Sequence, residues 1–191
     1  MLGKRSFHTL PRARSTTELQ RLKNIKEKGF LNIIVLRDYM AGTEKTLVIV
    51  KPDGVDARLI GEVIKRLENK NLRIANVKFL KITQKQSIGL YGASMKIYKN
   101  IKKSLIDYIT GGYSLVLIME GKEAIKRARE VRGLSDPSKS PRGTVRRDYA
   151  GSHRMEELTK KGKATKNIMH SSGNKEEADA EIKLFFKKNE I

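Results

Sequence analysis

Thr46-Leu47-Val48-Ile49-Val50-Lys51-Pro52-Asp53-Gly54 decides how the rest of the chain is read. Its first five residues are a β-branched, apolar run of strand length, and Lys51-Pro52-Asp53-Gly54 is a turn signal that stops it. Beyond the turn, Ile60, Val63, Ile64 and Leu67 recur at helical spacing, so residues 59–70 are expected as an amphipathic helix against a core. Leu72, Ile74, Val77 and Phe79 then alternate through a second strand that ends near Lys81.

Working outward, Gln84 to Ser94 and Ile101 to Thr110 have the pattern of short helices, the second broken by Gly111-Gly112. Ser114 to Met119 is a fully apolar third strand, and after Gly121 a helix is expected from Lys122 to Val131. Residues 133–164 are polar, basic and carry Pro and Gly, the composition of a long loop or insertion. Asn167 to His170 is expected as a short fourth strand. Ala178, Ile182 and Phe185 place a core stripe on a last helix, with Glu176 and Glu177 early and Lys187 and Lys188 late, as a helix dipole favours. The order predicts an α+β, ferredoxin-like fold. Its β-α-β-β-α-β core forms a four-stranded antiparallel sheet, covered on one face by helices, with added helices and a long basic insertion.

Upstream of this pattern the character changes. Residues 1–39 hold nine Lys/Arg against three Asp/Glu, with no acid before Glu18. They divide off as a basic N-terminal extension from a domain spanning 40–191, within which about 150–164 is an insertion. A short helix over 18–28 and a short strand from Phe30 to Leu36 are the local expectations. Met1 to Thr17 has the Arg- and Ser-bearing, acid-free look of a mitochondrial transit peptide; the blander readings, a disordered basic tail or an upstream extension of the reading frame, are preferred because Met40 begins a cleaner sequence. A cytoplasmic location is the expectation, or a mitochondrial one if the extension is a transit peptide.

Composition narrows the chemistry. The chain has 191 residues, 41 Lys+Arg against 21 Asp+Glu, and a net charge of +20. Such an excess implies a polyanionic partner. No cysteine is present, which excludes disulfides, thiolate metal sites and a Cys nucleophile. The longest apolar run, Leu115 to Met119, falls far short of the roughly 18–20 residues of a membrane span, so no membrane partner is expected. Gly121-Lys122 and Gly162-Lys163 are followed by Glu123 and Ala164, so both fail as phosphate-binding P-loops at the hydroxyl that would meet Mg²⁺. The three histidines are too scattered for a metal site. An RNA-binding sheet needs exposed aromatics on its central strands, where Phe79 is the one candidate.

A constellation around His170 remains. Asn167-x-x-His170-x-Ser172 leads into the last helix, which carries Glu181; upstream stand Lys51-Pro52-Asp53-Gly54-Val55 and Gly143-Thr144-Val145-Arg146-Arg147-Asp148-Tyr149. In these segments, and in their order, the chain resembles the nucleoside diphosphate kinase family over about residues 44–186. The resemblance implies transfer of the γ-phosphate of ATP to (deoxy)nucleoside diphosphates by ping-pong chemistry, with His170 as the nucleophile that becomes phosphohistidine. It further implies that Glu181 fixes the ring tautomer and that Ser172 bonds that carboxylate or the phosphate. Tyr91 reaches the transferring phosphate, while Arg129, Arg146 and Ser135 hold the phosphates. Lys51 and Asn167 read the ribose, Lys51 also counting among the catalytic groups, and Ile101 covers the base where the family has Phe. Mg²⁺ would arrive with ATP, held mainly by the nucleotide's phosphates rather than by side chains. Nucleoside di- and triphosphates are the implied partners, and a homo-oligomer is expected, although the insertion bears on the family's hexamer. The rival reading keeps the fold as a nucleic-acid-binding or scaffold protein, with nucleic acid otherwise a secondary partner. Ser171 and Gly173 stand where the family has Gly and Asp. The link from Asp148 to Asn167 is long, and Glu156/Lys160 and Glu157/Lys161 spacings within it predict an extra surface helix.

Overall fold

The computed structural model describes residues 43–151 and 154–191. The helix and strand expected within 18–36, and the transit-peptide reading, lie outside the described residues.

Four strands, β1 (Thr43–Val50), β2 (Arg73–Lys81), β3 (Tyr113–Lys122) and β4 (Met169–Ser171), form one antiparallel sheet in the order β2-β3-β1-β4. The helices are α1 (Pro52–Asp56), α2 (Ile60–Glu68), α3 (Gln84–Ile97), α4 (Lys102–Thr110), α5 (Ala124–Arg132), α6 (Val145–Tyr149), α7 (Met155–Lys160) and α8 (Lys175–Phe185). The predicted strands and helices occur in the predicted order, with α1 and α6 added where a turn and a loop were expected, and the fold is ferredoxin-like α+β. β3 runs longer than expected, through Lys122, and α5 starts two residues later, after Glu123 turns in a left-handed conformation. Because α8 ends at Phe185, Lys187 and Lys188 fall beyond it; Lys183 is the cation of its last turn.

The sheet is covered on both faces, not one. Val48 and Val50 of β1 and Leu115, Leu117 and Met119 of β3 pack against Val63 and Leu67 of α2 and Ala124, Ala128 and Val131 of α5. Leu47, Ile49, Val116 and Ile118, of opposite parity, pack against Ile109 of α4 and Ile182 and Phe185 of α8. An unbroken apolar run in a strand demands this, since period two sends alternate residues to opposite faces and both are dry. A bulge between Ile74 and Asn76 keeps Ile74, Val77 and Phe79 on one side of β2. The helices do not reach that edge, so Val77 and Phe79 stand exposed instead of joining the core, with Phe79 stacked on Tyr113 at 5.1 Å between ring centres.

Lys51-Pro52-Asp53-Gly54 stops β1 as expected but starts a helix rather than a turn. Lys51 is the N-cap of α1 and Pro52 occupies its first position, where a missing N–H costs nothing. Gly54 serves a close approach: a Cβ there would sit 2.9 Å from Val50 Cγ1 and 3.0 Å from the Ile168 carbonyl oxygen. That contact brings the ends of β1 and β4 together.

Candidate active site

Antiparallel pairing sets Ile49 opposite His170, so the imidazole emerges beside the end of β1, where Lys51 follows. The Lys51 N–H donates to the Ile168 carbonyl (2.8 Å), and the Ile168 N–H donates to Asp53 Oδ2 (3.0 Å). Ile168 is held at φ +67°, a costly conformation for a β-branched residue that these two bonds over-determine. Asp53 also accepts from Tyr108 Oη at 2.6 Å. It thereby fastens α1, α4 and the approach to β4 in one knot.

His170, Lys51, Tyr91, Ile101, Ser135, Arg146, Asn167 and Glu181 line one cleft of about 470 Å³. The His170 Nε2 lies 2.9 Å from both Glu181 oxygens. Ser172 Oγ donates to Glu181 Oε2 at 2.6 Å, and the Leu47 N–H donates to the same hydroxyl at 3.3 Å. The carboxylate is thus aimed from below by the sheet. With Nε2–H given to Glu181, the neutral ring carries its lone pair on Nδ1. Burial pulls the imidazole pKa below its ordinary value, against the opposing pull of Glu181, with Lys51 and Arg132 adding to the lowering. Near neutrality the ring is therefore uncharged and nucleophilic.

Cations surround it. Lys51 is only 3% exposed; its Nζ donates to Asn167 Oδ1 at 2.7 Å and lies 5.5 Å from the ring centres of Tyr91 and Tyr108. Burial brings its pKa down to about 7, helped by Arg146 and partly countered by Asp53. Arg146 is also buried, its guanidinium donating to the carbonyls of Met169 (2.8 Å) and Leu134 (2.9 Å), and burial lowers its pKa to about 9. Asn167 Nδ2 donates to the Ser135 carbonyl at 3.1 Å, so Ser135 is placed by its backbone. Tyr91 sits edge-on to His170 with 5.7 Å between ring centres, its hydroxyl buried without a hydrogen-bond partner and its pKa pushed up by burial.

One expected residue is placed elsewhere. Arg129 Nη1 donates to the Gly173 carbonyl (2.8 Å), and its side chain lines a neighbouring cavity of about 590 Å³ rather than the His170 cleft. Arg132, one turn on, lines the cleft and donates to the Ser171 carbonyl at 2.6 Å. Helical phase explains the difference, because three residues rotate the side chain by roughly 300°. Sequence reasoning also missed Asp53, Tyr108, Leu105, Met155 and Thr159. Asp53 is a turn residue by sequence pattern, although its place in the Lys51-Pro52-Asp53-Gly54-Val55 segment was a signal.

A family model for nucleoside diphosphate kinase matches residues 44–191. The chain belongs to the nucleoside diphosphate kinase family. It is 40% identical over 149 residues to the nucleoside diphosphate kinase of Metallosphaera sedula, covering 78% of this chain and 97% of the relative. Against that of Pyrococcus horikoshii the figures are 38% over 152 residues, 80% and 90%. Among solved structures, a transition-state mimic of the Borrelia burgdorferi nucleoside diphosphate kinase with bound vanadate and ADP superposes with a TM-score of 0.72. Its identity is 32%, with 79% of this chain and 91% of that one covered. The activity is accordingly nucleoside diphosphate kinase activity, and the bare-scaffold reading falls away.

Proposed function

We propose that His170 carries the phosphoryl group, and that the described cleft receives donor and acceptor nucleotides in turn. The observation that carries this is the Glu181 carboxylate held against Nε2 by Ser172, which leaves Nδ1 as the attacking atom. The Nδ1 lone pair forms a bond to the γ-phosphorus; the bond from that phosphorus to the β,γ-bridging oxygen breaks, and the diphosphate leaves with the electrons. A terminal β-phosphate oxygen of a second diphosphate then bonds to that phosphorus as the P–Nδ1 bond breaks, and the electron pair returns to the ring. Lys51, Arg132 and Arg146 neutralise the phosphates, the main service phosphoryl transfer asks of a protein. Tyr91 Oη, buried and unpartnered, donates to the transferring group. Asn167 and Lys51 face the ribose, Ser135 is held beside them through its carbonyl, and Arg129 acts from outside the cleft by holding the Gly173 carbonyl.

Mg²⁺ would come with the nucleotide. Among the described residues no group of three or more His and carboxylates could hold a metal, and Asp53 is engaged by Tyr108 and the Ile168 amide. The nucleotide's phosphates would supply its ligands, and its charge would lower the repulsion met by an attacking nucleophile. Exposed Val77, Phe79 and Tyr113 at the β2 edge support a homo-oligomer.

The test is labelling with ATP and Mg²⁺ alone. A phosphate should remain on the protein, labile to acid and stable to base, and GDP should discharge it. His170→Ala should abolish labelling and turnover without unfolding the chain. An acid-stable label, or labelling that survives in His170→Ala, would overturn the assignment.

A further inference from the structure

The cleft has two chemically different ends. Lys51, Arg132 and Arg146 gather cationic side chains around His170 at one end, while Ile101, Leu105, Met155 and Ala164 make the other apolar. Phosphates go to the first, so the base goes to the second. Ile101 offers it little, being only 6% exposed. Two of the other apolar contributors, Met155 and Ala164, come from the insertion. Met155, partly buried at the first position of α7, and Thr159 on the same helix both line the cleft.

The insertion is tied to the segment that carries Ile101. Asn100 Nδ2 donates to the Thr159 carbonyl at 2.5 Å, and the Ala164 N–H donates to Ser104 Oγ at 3.0 Å. These two bonds bracket Ile101 in sequence, so floor and cover are built as one unit. We propose that α7 is the second wall of the nucleobase site, with Met155 as its contact residue. This rests on the nucleotide-transfer reading of the same cleft. Methionine suits an enzyme that takes several bases: unbranched and polarizable, it adapts to purine or pyrimidine without selecting by hydrogen bonds.

Met155→Ala in the full chain tests it. The KM for ATP and for GDP should each rise on the order of tenfold with kcat kept, the effect of removing one apolar contact made equally in ground and transition states. The inhibition constant of inorganic tripolyphosphate, which has no base, should stay unchanged. Met155→Leu should recover most of the loss, and Asn100→Ala, which cuts the tie, should raise KM in the same direction. An unchanged nucleotide KM in Met155→Ala, or a tripolyphosphate constant that moves with it, overturns the wall while leaving the kinase reading intact. A wild-type chain that takes no phosphate from ATP overturns that reading, and the wall with it.

Discussion

Lys51 stands under opposing demands. Its charge is wanted by phosphates, yet in the free protein it is buried among Arg132 and Arg146 and its pKa falls to about 7. The folded pKa lies below the unfolded 10.5, so between about 7 and 10.5 the unfolded chain binds more protons. Stability of the nucleotide-free protein should therefore rise with pH across that window. Lys51→Met should remove this rise and stabilise the free protein by about 1–2 kcal/mol at neutral pH, since an apolar chain replaces a poorly compensated charge. The same variant should bind nucleotide far more weakly; thermal melts against pH and a KM measurement check both halves. His170 shows the complementary case. Burial lowers its pKa, so the acid limb of the labelling rate should lie below the ordinary imidazole value of about 6.5. Glu181→Gln removes the influence that raises that pKa, so the limb should move further to acid while the rate drops about tenfold, about 1.4 kcal/mol of barrier. A limb that stays put in Glu181→Gln would refute this coupling. His170, Glu181 and Lys51 were legible because their segments keep family spacing. Arg132 was not, since in Lys126-Arg127-Ala128-Arg129-Glu130-Val131-Arg132 only the helix phase tells which Arg meets the cleft.

Elements place these residues by how they end. α5 stops at Gly133, whose φ of +87° lets the chain turn back so that Leu134 and Ser135 reach Arg146 and Asn167. A Cβ there would lie 2.7 Å from Thr144 Oγ1, and Thr144 caps α6. Gly133→Ala should therefore cost about 1–3 kcal/mol and raise the nucleotide KM, because strain at this cap displaces both guanidinium groups. A melt together with a KM determination checks it; a stability loss with KM unchanged would show that the loop relaxes without moving Arg146. The order of the strands and longer helices was readable from periodicity, and α7 from its i,i+4 charges, whereas the five-residue α1 and α6 are too short to show a period. Glu156 and Lys160 do pair at 2.8 Å, whereas Lys161 lies past the helix end and Glu157 lies 3.9 Å from Arg154 instead. What periodicity could not give was coverage. It identifies an apolar face, but whether a helix lies over it depends on where distant segments pack, as Val77 and Phe79 show.

At the scale of the molecule, every residue assigned to the site lies at or beyond Lys51, and β1 begins at Thr43. A chain starting at Met40 should keep its turnover; a large fall in kcat would place part of the extension in the catalytic domain. The bond broken in the donor and the bond remade in the acceptor are both phosphoanhydrides, and the intermediate sits on a ring whose backbone is paired into the sheet at Ile49. One cleft, cationic at one end and apolar at the other, thus greets each nucleotide alike. Nothing in such a site favours a direction, so flux follows concentrations alone. The protein is then an equaliser: it links the triphosphate-to-diphosphate ratio of one nucleotide pool to that of another. An excess of any diphosphate should slow it by occupying the unphosphorylated cleft.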